Sequence, residues 1–310
     1  MNPSEFELIE QAFRRHSPPA HPMTRVANGD DASVHEVSPD MELVISTDTS
    51  VAGIHWPEDF PLDQAADRAV CAALSDLAAM GAGACWLWVS VLAKTSDDAG
   101  TMGKGVNAAL NRYSVELAGG DTVTAPVNAL CLTVGGVLPK GTAMQRDAAR
   151  PSDDLWLCGV TGHSALGLKQ WQQGQHDGRF IRDFCRIEPL LKEGIRLREV
   201  GVKCCIDVSD GVLQDAEHVA HASGVGMSIN LESLPGWQEV ISEASYEQAL
   251  SSVLAGGEDY ALLLTAPADL RPKLEALAGR IGFCSQGSGI EVLHNGQAIQ
   301  APVKGFDHFG

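Results

Sequence analysis

A chain of 310 residues has room for two domains of ordinary size, each with its own core. The 40 acidic against 22 basic residues give a formal net charge of −18, which argues against nucleic acid or an anionic membrane surface as the main partner. That acidity suits bound divalent cations, and it suits plain solubility equally well. No apolar run reaches membrane-spanning length, and residues 1–13 are charged and helical in pattern, unlike a secretory signal. The eight cysteines (71, 85, 131, 158, 185, 204, 205 and 284) form no Cys-x-x-Cys pair. Neither a zinc site nor a thioredoxin-like motif is therefore expected, and a reducing cytoplasm is the simplest location.

In chain order, Phe6, Ile9 and Phe13 at helical spacing predict a short first helix, ended by the Pro-rich residues 17–22. Asn28-Gly29-Asp30-Asp31-Ala32 predicts a tight turn tipped by two carboxylates. Adjacent carboxylates repel; a cation would remove that conflict, whereas a fully exposed acidic turn needs none. Apolar Leu43, Val44 and Ile45 predict a buried strand ending in Ser46, Thr47, Asp48 and Thr49, before Gly53 turns the chain toward His55 and Trp56. Such a strand end suits a hard cation such as Mg²⁺, or is an ordinary hydroxyl-rich turn with one solvated Asp. Residues 62–80 predict an Ala-rich helix closed by Gly81 and Gly83. Asp76, flanked by Ala73, Leu74, Leu77 and Ala78, is either paired with a buried base or bound to metal, and metal is the preferred reading. Residues 85–93 predict a strand and 99–117 a helix. Gly103-Lys104-Gly105 lacks the spacing of a phosphate loop, so Lys104 is read as a surface residue. Gly119-Gly120-Asp121-Thr122 predicts a turn whose glycines let backbone approach a phosphate, with Asp121 placed to hold its metal. Residues 129–138 predict a strand in which Gly135 and Gly136 signal a bulge or a close backbone contact. A domain boundary is expected near residues 140–150, past which Pro151-Ser152-Asp153-Asp154 reads as a turn.

The second half opens with a strand over residues 155–160 and a helix after Thr161-Gly162-His163-Ser164, with Thr161 or Ser164 as cap and His163 exposed. Residues 190–200 predict an amphipathic helix. Cys204-Cys205-Ile206 predicts a strand that runs into Asp207-Val208-Ser209-Asp210-Gly211 and a helix over 212–222. This repeats the apolar-strand-then-carboxylate arrangement of the first half. Ser209 or Asp210 suffices as a helix cap, and Asp207 is not needed for one. Residues 225–231 predict a strand. Gly256-Gly257-Glu258-Asp259-Tyr260 is an acidic turn leading into the strand 261–264, followed by a helix over 269–279 and short strands near 281–285 and 290–293. The aromatic tail at 304–309 is expected to pack as a flap.

The stretches NGDDAS, STDTSVAGIHW, ALSDLAAMGA, GGDT, DVSDG, GGEDY and KGFDHF, in this order, resemble the thiamine-monophosphate kinase family. That family lies in the ATP-binding superfamily that includes aminoimidazole ribonucleotide synthetase and selenophosphate synthetase. Singly each stretch is weak evidence; the ordered set spans nearly the whole chain. The resemblance implies a two-domain synthetase-like fold of α/β plus α+β class. An N-terminal α/β domain (residues 1–145) would bind ATP and metal and form a homodimer through its sheet, and a C-terminal α+β domain would span residues 146–310. It implies several Mg²⁺ ions on Asp31, Ser46, Thr47, Asp48, Asp76, Asp121, Asp207 and Asp210, with Asp30 a lesser candidate. It implies ATP contacts at Gly120, Asp121, Arg146 and Ser209, and thiamine monophosphate contacts at His55, Glu258 and Phe306. The chain departs from the family at Ala52, where a Glu is usual, at Ser152, where a Gly is usual, at Phe306, where Tyr or Trp is frequent, and at Val212 of the SDGV stretch. None of these removes an oxygen ligand.

The implied reaction is transfer of the ATP γ-phosphoryl to the phosphate of thiamine monophosphate, giving thiamine diphosphate and ADP. A phosphate acceptor is already ionised near neutral pH, so no residue is assigned as general base. Two other readings stay open on the residues alone: a sister enzyme that uses ATP to activate another small molecule, and a non-catalytic cation-binding or dimerisation protein.

Overall fold

The computed structural model describes residues 5–301, and Phe306 lies outside them. The chain divides into two compact units, one running to Gly141 without Ala78–Gly81, the other from Thr142 together with Ala78–Gly81.

The first unit opens with α1 (Glu5–Ala12) and a small hairpin, β1 (Thr24–Val26) and β2 (Val34–His35). Then follow β3 (Met41–Val51), α2 (Leu62–Ala79), β4 (Gly83–Ala93), α3 (Ser96–Tyr113), β5 (Glu116–Thr124) and β6 (Ala129–Pro139). The last four strands form one sheet in the order β3-β6-β4-β5, in which only β4 and β5 run parallel. The parallel pair is joined by α3, as a parallel pair requires a crossover. Val89, Leu132 and Val134 are buried on one face of this sheet, on the side where α2 places Leu77 against Gly136. On the other face Leu43 and Ile45 remain exposed, by 49% and 60%.

Two expectations change here. The predicted strand does not end at Ile45: β3 continues through Ser46, Thr47, Asp48 and Thr49, paired residue by residue with β6 as far as Val51 and Ala129. The glycines of GGDT likewise lie inside β5, and the helix expected to reach residue 117 ends at Tyr113 because Glu116 and Leu117 pair with Trp86 and Leu87. Ladder pairing with central strands overrides the turn chemistry of short hydroxyl and Gly runs.

The second unit contains β7 (Asp154–Cys158), α4 (His163–Gln172), α5 (Arg179–Cys185), α6 (Leu191–Val200), β8 (Cys204–Asp207) and α7 (Val212–Ser223). After these come β9 (Gly226–Asn230), α8 (Trp237–Glu243), α9 (Tyr246–Ala255), β10 (Leu262–Ala266), α10 (Arg271–Leu274), β11 (Gly279–Ser285), β12 (Gly289–His294) and β13 (Gln297–Ile299). Its sheet has seven strands in the order β13-β12-β9-β11-β7-β10-β8. Both faces are buried. Leu155, Leu157, Ile206 and Leu263 join one apolar cluster, while Trp156, Cys158, Cys205 and Leu264 join another. Successive side chains alternate between faces, so a strand covered on both sides reads as an unbroken apolar run. Buried Asp154, at the start of β7, accepts two hydrogen bonds from Arg271 at 2.6 and 2.8 Å and one from Arg280 at 3.2 Å, which hold its carboxyl below the usual range. Ser152, in the turn before it, has φ +77°, the left-handed region that explains why a glycine is usual there. The helix expected over 269–279 shortens to α10, because residues from Gly279 onward are drawn into β11 between β7 and β9.

The glycines of Gly103-Lys104-Gly105 have a packing reason. A Cβ on Gly103 would meet the Ala12 carbonyl oxygen at 2.7 Å, and one on Gly105 the Asp63 carbonyl oxygen at 2.0 Å, while Lys104 is exposed. In an open helix Gly→Ala gains about 1 kcal/mol. Here Gly105→Ala is expected to destabilise by about 2 kcal/mol, because the α2 backbone cannot yield. A urea midpoint that rises in this variant contradicts the packing assignment.

Candidate active site

In the first unit the alternation of β3 sorts the candidate residues. Ser46 and Asp48 point to the helix-covered side. The Ser46 hydroxyl donates to Asp76 Oδ2 at 2.5 Å, joining strand to helix α2. Asp76 is partly exposed, although Leu74 and Leu77 beside it are fully buried, and this hydroxyl is one of its partners. Thr47 points the other way, with its Oγ1 3.0 Å from the Leu132 carbonyl oxygen and 3.1 Å from Thr133 Oγ1. Asp121 stands opposite Ser90, which stands opposite Cys131, which stands opposite Thr49. Directly opposed residues share a face, so Asp121 lies with Thr47 and Thr49 and not with Ser46 and Asp48. Gly120 is opposite Val89, whose carbonyl oxygen a Cβ would meet at 2.2 Å; strand packing alone demands glycine there.

Asp30 and Asp31 are exposed at the tip of their turn, and the Asp31 amide donates to Asp30 Oδ1 at 2.8 Å. Behind the turn runs a fixed chain of hydrogen bonds. Thr24 donates its hydroxyl to buried Glu116 Oε2 at 2.6 Å and accepts from Trp86 Nε1 at 2.9 Å. His35 Nδ1, 3.1 Å from that hydroxyl, must therefore be the donor, and neutral His35 accepts at Nε2 from Ser33 Oγ at 2.9 Å. Ser33 in turn accepts from Trp88 Nε1 at 2.9 Å. Burial lowers the His35 pKa, against the pull of Glu116, in keeping with a neutral ring. His55 Nδ1 accepts from the Val51 amide at 3.1 Å, which leaves the ring proton of the neutral form on Nε2.

In the second unit, buried Asp207 ends β8. The chain beyond it is fastened to residues 256–260. The Glu258 amide donates to the Ser209 carbonyl at 2.8 Å and the Tyr260 amide to the Val208 carbonyl at 2.9 Å. A Cβ on Gly257 would lie 2.1 Å from the Ser209 oxygen, so this approach requires glycine. Glu258 (φ +71°) and Tyr260 (φ +52°) both hold left-handed backbone, which costs non-glycine residues about 1–3 kcal/mol each. The Tyr260 hydroxyl donates to Glu258 Oε1 at 3.2 Å. Asp259, between them, accepts backbone N–H bonds from Gly162 at 2.6 Å and Ser164 at 2.8 Å. Burial pushes its carboxyl up to about 7 even though these bonds pull the other way. Arg146 is exposed in a loop anchored by Ser223 Oγ donating to its carbonyl at 3.1 Å.

His163, expected to be exposed, is buried; Nδ1 donates to Asp183 Oδ2 at 2.8 Å, with the ring edge-on to Phe180. Neither Ser209 nor Asp210 caps α7, whose N-cap is Gly211. Asp215, in the first turn of α7, reaches back to accept from the Asp210 amide at 3.2 Å. Asp215 was not among the sequence candidates. Its signal was position: Val212, Asp215, Ala216 and Val219 share the buried stripe of the helix, where a carboxylate is out of place. Among the described residues, Asp210, Asp215 and His218 are the one group of three acidic, His or Cys ligands whose donor atoms lie within 4.8 Å of one another. Asp31, Asp48, Asp76 and Asp121 do not form such a group. Burial, and after it the charge of Asp207, push the Asp215 carboxyl up to about 8.

This raised value has a signed consequence. The folded protein keeps on Asp215 a proton that the unfolded chain gives up near pH 4. Its stabilising effect is complete below that pH and fades as pH rises toward 8. Without divalent cations the thermal midpoint should fall over this window, Asp215→Asn should flatten the fall, and added Mg²⁺ should raise the midpoint more at pH 8 than at pH 5. Parallel pH profiles for variant and parent contradict this.

Comparison with known proteins fits this arrangement. Residues 29–138 match the family model described as AIR synthase related protein, N-terminal domain. The chain is 33% identical to thiamine-monophosphate kinase of Salmonella typhimurium, over 98% of each chain. Among solved structures it is similar to thiamine-monophosphate kinase from Stenotrophomonas maltophilia (TM-score 0.84, 31% identity, covering 96% of this chain and 99% of that one). It is also similar to AaThiL complexed with AMPPCP and TMP (TM-score 0.77, 25% identity, covering 98% and 97%). The fold is thus the two-domain synthetase-like one, and the chain belongs to the thiamine-monophosphate kinase family.

Proposed function

We propose that this protein transfers the γ-phosphoryl group of ATP to the phosphate of thiamine monophosphate, in a Mg²⁺-dependent reaction yielding thiamine diphosphate and ADP. The observation that carries the reading is the 2.8 Å bond from the Glu258 amide to the Ser209 carbonyl. It puts a carboxylate suited to a cationic thiazolium next to the loop of Asp207, Ser209 and Asp210, whose oxygens suit a phosphate-bound cation. The full-length likeness to thiamine-monophosphate kinases supports the choice of substrates.

The donor set fits Mg²⁺. The eight assigned ligand residues offer only oxygens, and a buried Asp215 flanked by Asp207 and Asp210 is the electrostatic situation a hard cation relieves. In this reading Asp31, Ser46, Thr47, Asp48, Asp76, Asp121, Asp207 and Asp210 hold the ions. Magnesium retains waters and shares substrate phosphates, so each ion needs only one or two carboxylates, and a tight cluster of protein ligands is not required. In this reading Asp121 and Asp76, on opposite sides of the first sheet, serve different ions. Bound Mg²⁺ neutralises the polyanions and aligns their oxygens for in-line displacement.

Gly120, Asp121, Arg146 and Ser209 contact ATP, and Arg146 adds a fixed positive charge to the triphosphate. His55, together with Glu258 and Phe306, orients the thiamine moiety. An oxygen of the acceptor phosphate forms the new bond to the γ-phosphorus while the bond to the β,γ-bridging oxygen breaks and ADP leaves. No side chain has to remove a proton.

Residues 1–145 serve as the ATP, metal and dimerisation domain and residues 146–310 as the α+β domain. The exposed face bearing Leu43, Ile45 and Val123 supports a homodimer formed through the first sheet, a part that a monomer in sedimentation would remove. All eight cysteines are free and six are buried, which supports a cytoplasmic location; among the described residues no helix is long and apolar enough to cross a membrane.

With thiamine monophosphate as acceptor, coupled ADP release should be rapid and should stop on chelation of divalent cations. ADP release only with another acceptor would assign a sister activity, and none with any acceptor a binding protein. Asp76→Asn should lower kcat by about 100-fold with the circular dichroism spectrum unchanged. Parental turnover at limiting Mg²⁺ would remove Asp76 from the ligand set.

A further inference from the structure

Asp259 is the acidic side chain of residues 256–260 to which the reading above gives no role. It lies between two residues held in left-handed backbone, Glu258 and Tyr260. Its two carboxylate oxygens take separate donors, Oδ2 the Gly162 amide at 2.6 Å and Oδ1 the Ser164 amide at 2.8 Å, and the Ser164 hydroxyl bonds it as well. These donors open α4, whose N-cap Gly162 supplies no capping side chain. A carboxylate from a distant segment therefore caps this helix, with the charge on the favourable end of its dipole. The same fastening fixes the backbone on both sides of Asp259. Glu258 N–H is held to Ser209 and Tyr260 N–H to Val208, with both residues in left-handed backbone.

We propose that Asp259 is a positioning residue for the reaction: anchored to the first turn of α4, it keeps Glu258 in its left-handed backbone and so aims the Glu258 carboxylate at thiamine monophosphate. The proposal rests on the reading of Glu258 given above. Without the anchor, residues 258 and 260 relax toward ordinary backbone, and the Glu258 side chain leaves its direction. Asparagine cannot replace the carboxylate, because its NH₂ group would face one of the two N–H donors.

The test is steady-state kinetics on the full chain for Asp259→Asn, Glu258→Gln, the double variant and Ser164→Ala. Glu258→Gln should raise KM for thiamine monophosphate about tenfold, and Asp259→Asn should do the same while KM for ATP changes less than about twofold. The double variant should be no worse than the poorer single one, since both losses pass through one side chain. Ser164→Ala, which removes only the hydroxyl bond, should give a smaller rise of the same selectivity. It decides the matter if Asp259→Asn fails to fold, and an unchanged acceptor KM in it would then overturn the proposal. Full additivity in the double variant, or an equal rise in both KM values for Asp259→Asn, assigns Asp259 a purely structural part and overturns the proposal alone. No effect of Glu258→Gln overturns the reading of Glu258 and the proposal with it.

Discussion

The second unit depends on a backbone-to-backbone fastening between two segments about fifty residues apart. Strands β8 and β10 pair up to Asp207 and Leu262, and the pairing continues beyond the strand ends through Val208, Ser209, Glu258 and Tyr260. Side chains cannot enforce so close an approach; a bare Cα at Gly257 permits it. Loops that carry ionisable side chains are ordinarily the most mobile part of a fold. Here they inherit the rigidity of the sheet, and acidic groups from separate stretches of chain are held in a constant relation despite their mutual repulsion.

The first unit solves a related problem by alternation. A strand that carries Ser46, Thr47, Asp48 and Thr49 in succession presents two chemistries, one on each face. The side toward α2 gathers a hydroxyl and two carboxylates, with Ser46 bridging to Asp76. The other side combines Thr47, Thr49 and Asp121 with exposed apolar Leu43 and Ile45. Polar function and an open hydrophobic surface thus share one sheet without either entering the core. The buried Glu116 accepts at Oε2 from both the Thr24 hydroxyl and the His21 amide, which ties the hairpin to the edge strand β5.

Much of this was legible in the residues. The Ala-rich α2 and the strands rich in Val, Leu and Cys follow from periodicity and burial, whereas the repeat expected around Asp48 and Asp207 does not hold, since Asp48 lies inside β3 and Asp207 ends β8. What was not legible has common causes. Ser46 to Thr49 and Gly119-Gly120 carry turn chemistry locally, but pairing partners far along the chain (Val134 for Ser46, Val89 for Gly120) decide their conformation. Asp215 was passed over because an acidic residue in a first turn is unremarkable, although its place on the apolar stripe marked it. His163 looked solvent-facing because the Asp183 and Phe180 that enclose it come from the following helix, which no strong pattern announced. The function was legible only as an ordered set of stretches; no single one of them was specific.

The chain of hydrogen bonds behind the Asp30–Asp31 turn ends on an indole. Trp88 Nε1 is held by Ser33, two residues past Asp31, and the ring lies 5.4 Å, edge-on, from His35. A shift of that turn that carried Ser33 with it would stretch or break the indole bond and change the polarity around the ring. With the other five tryptophans replaced, the colour of Trp88 emission would then report the position of the acidic turn without an attached label.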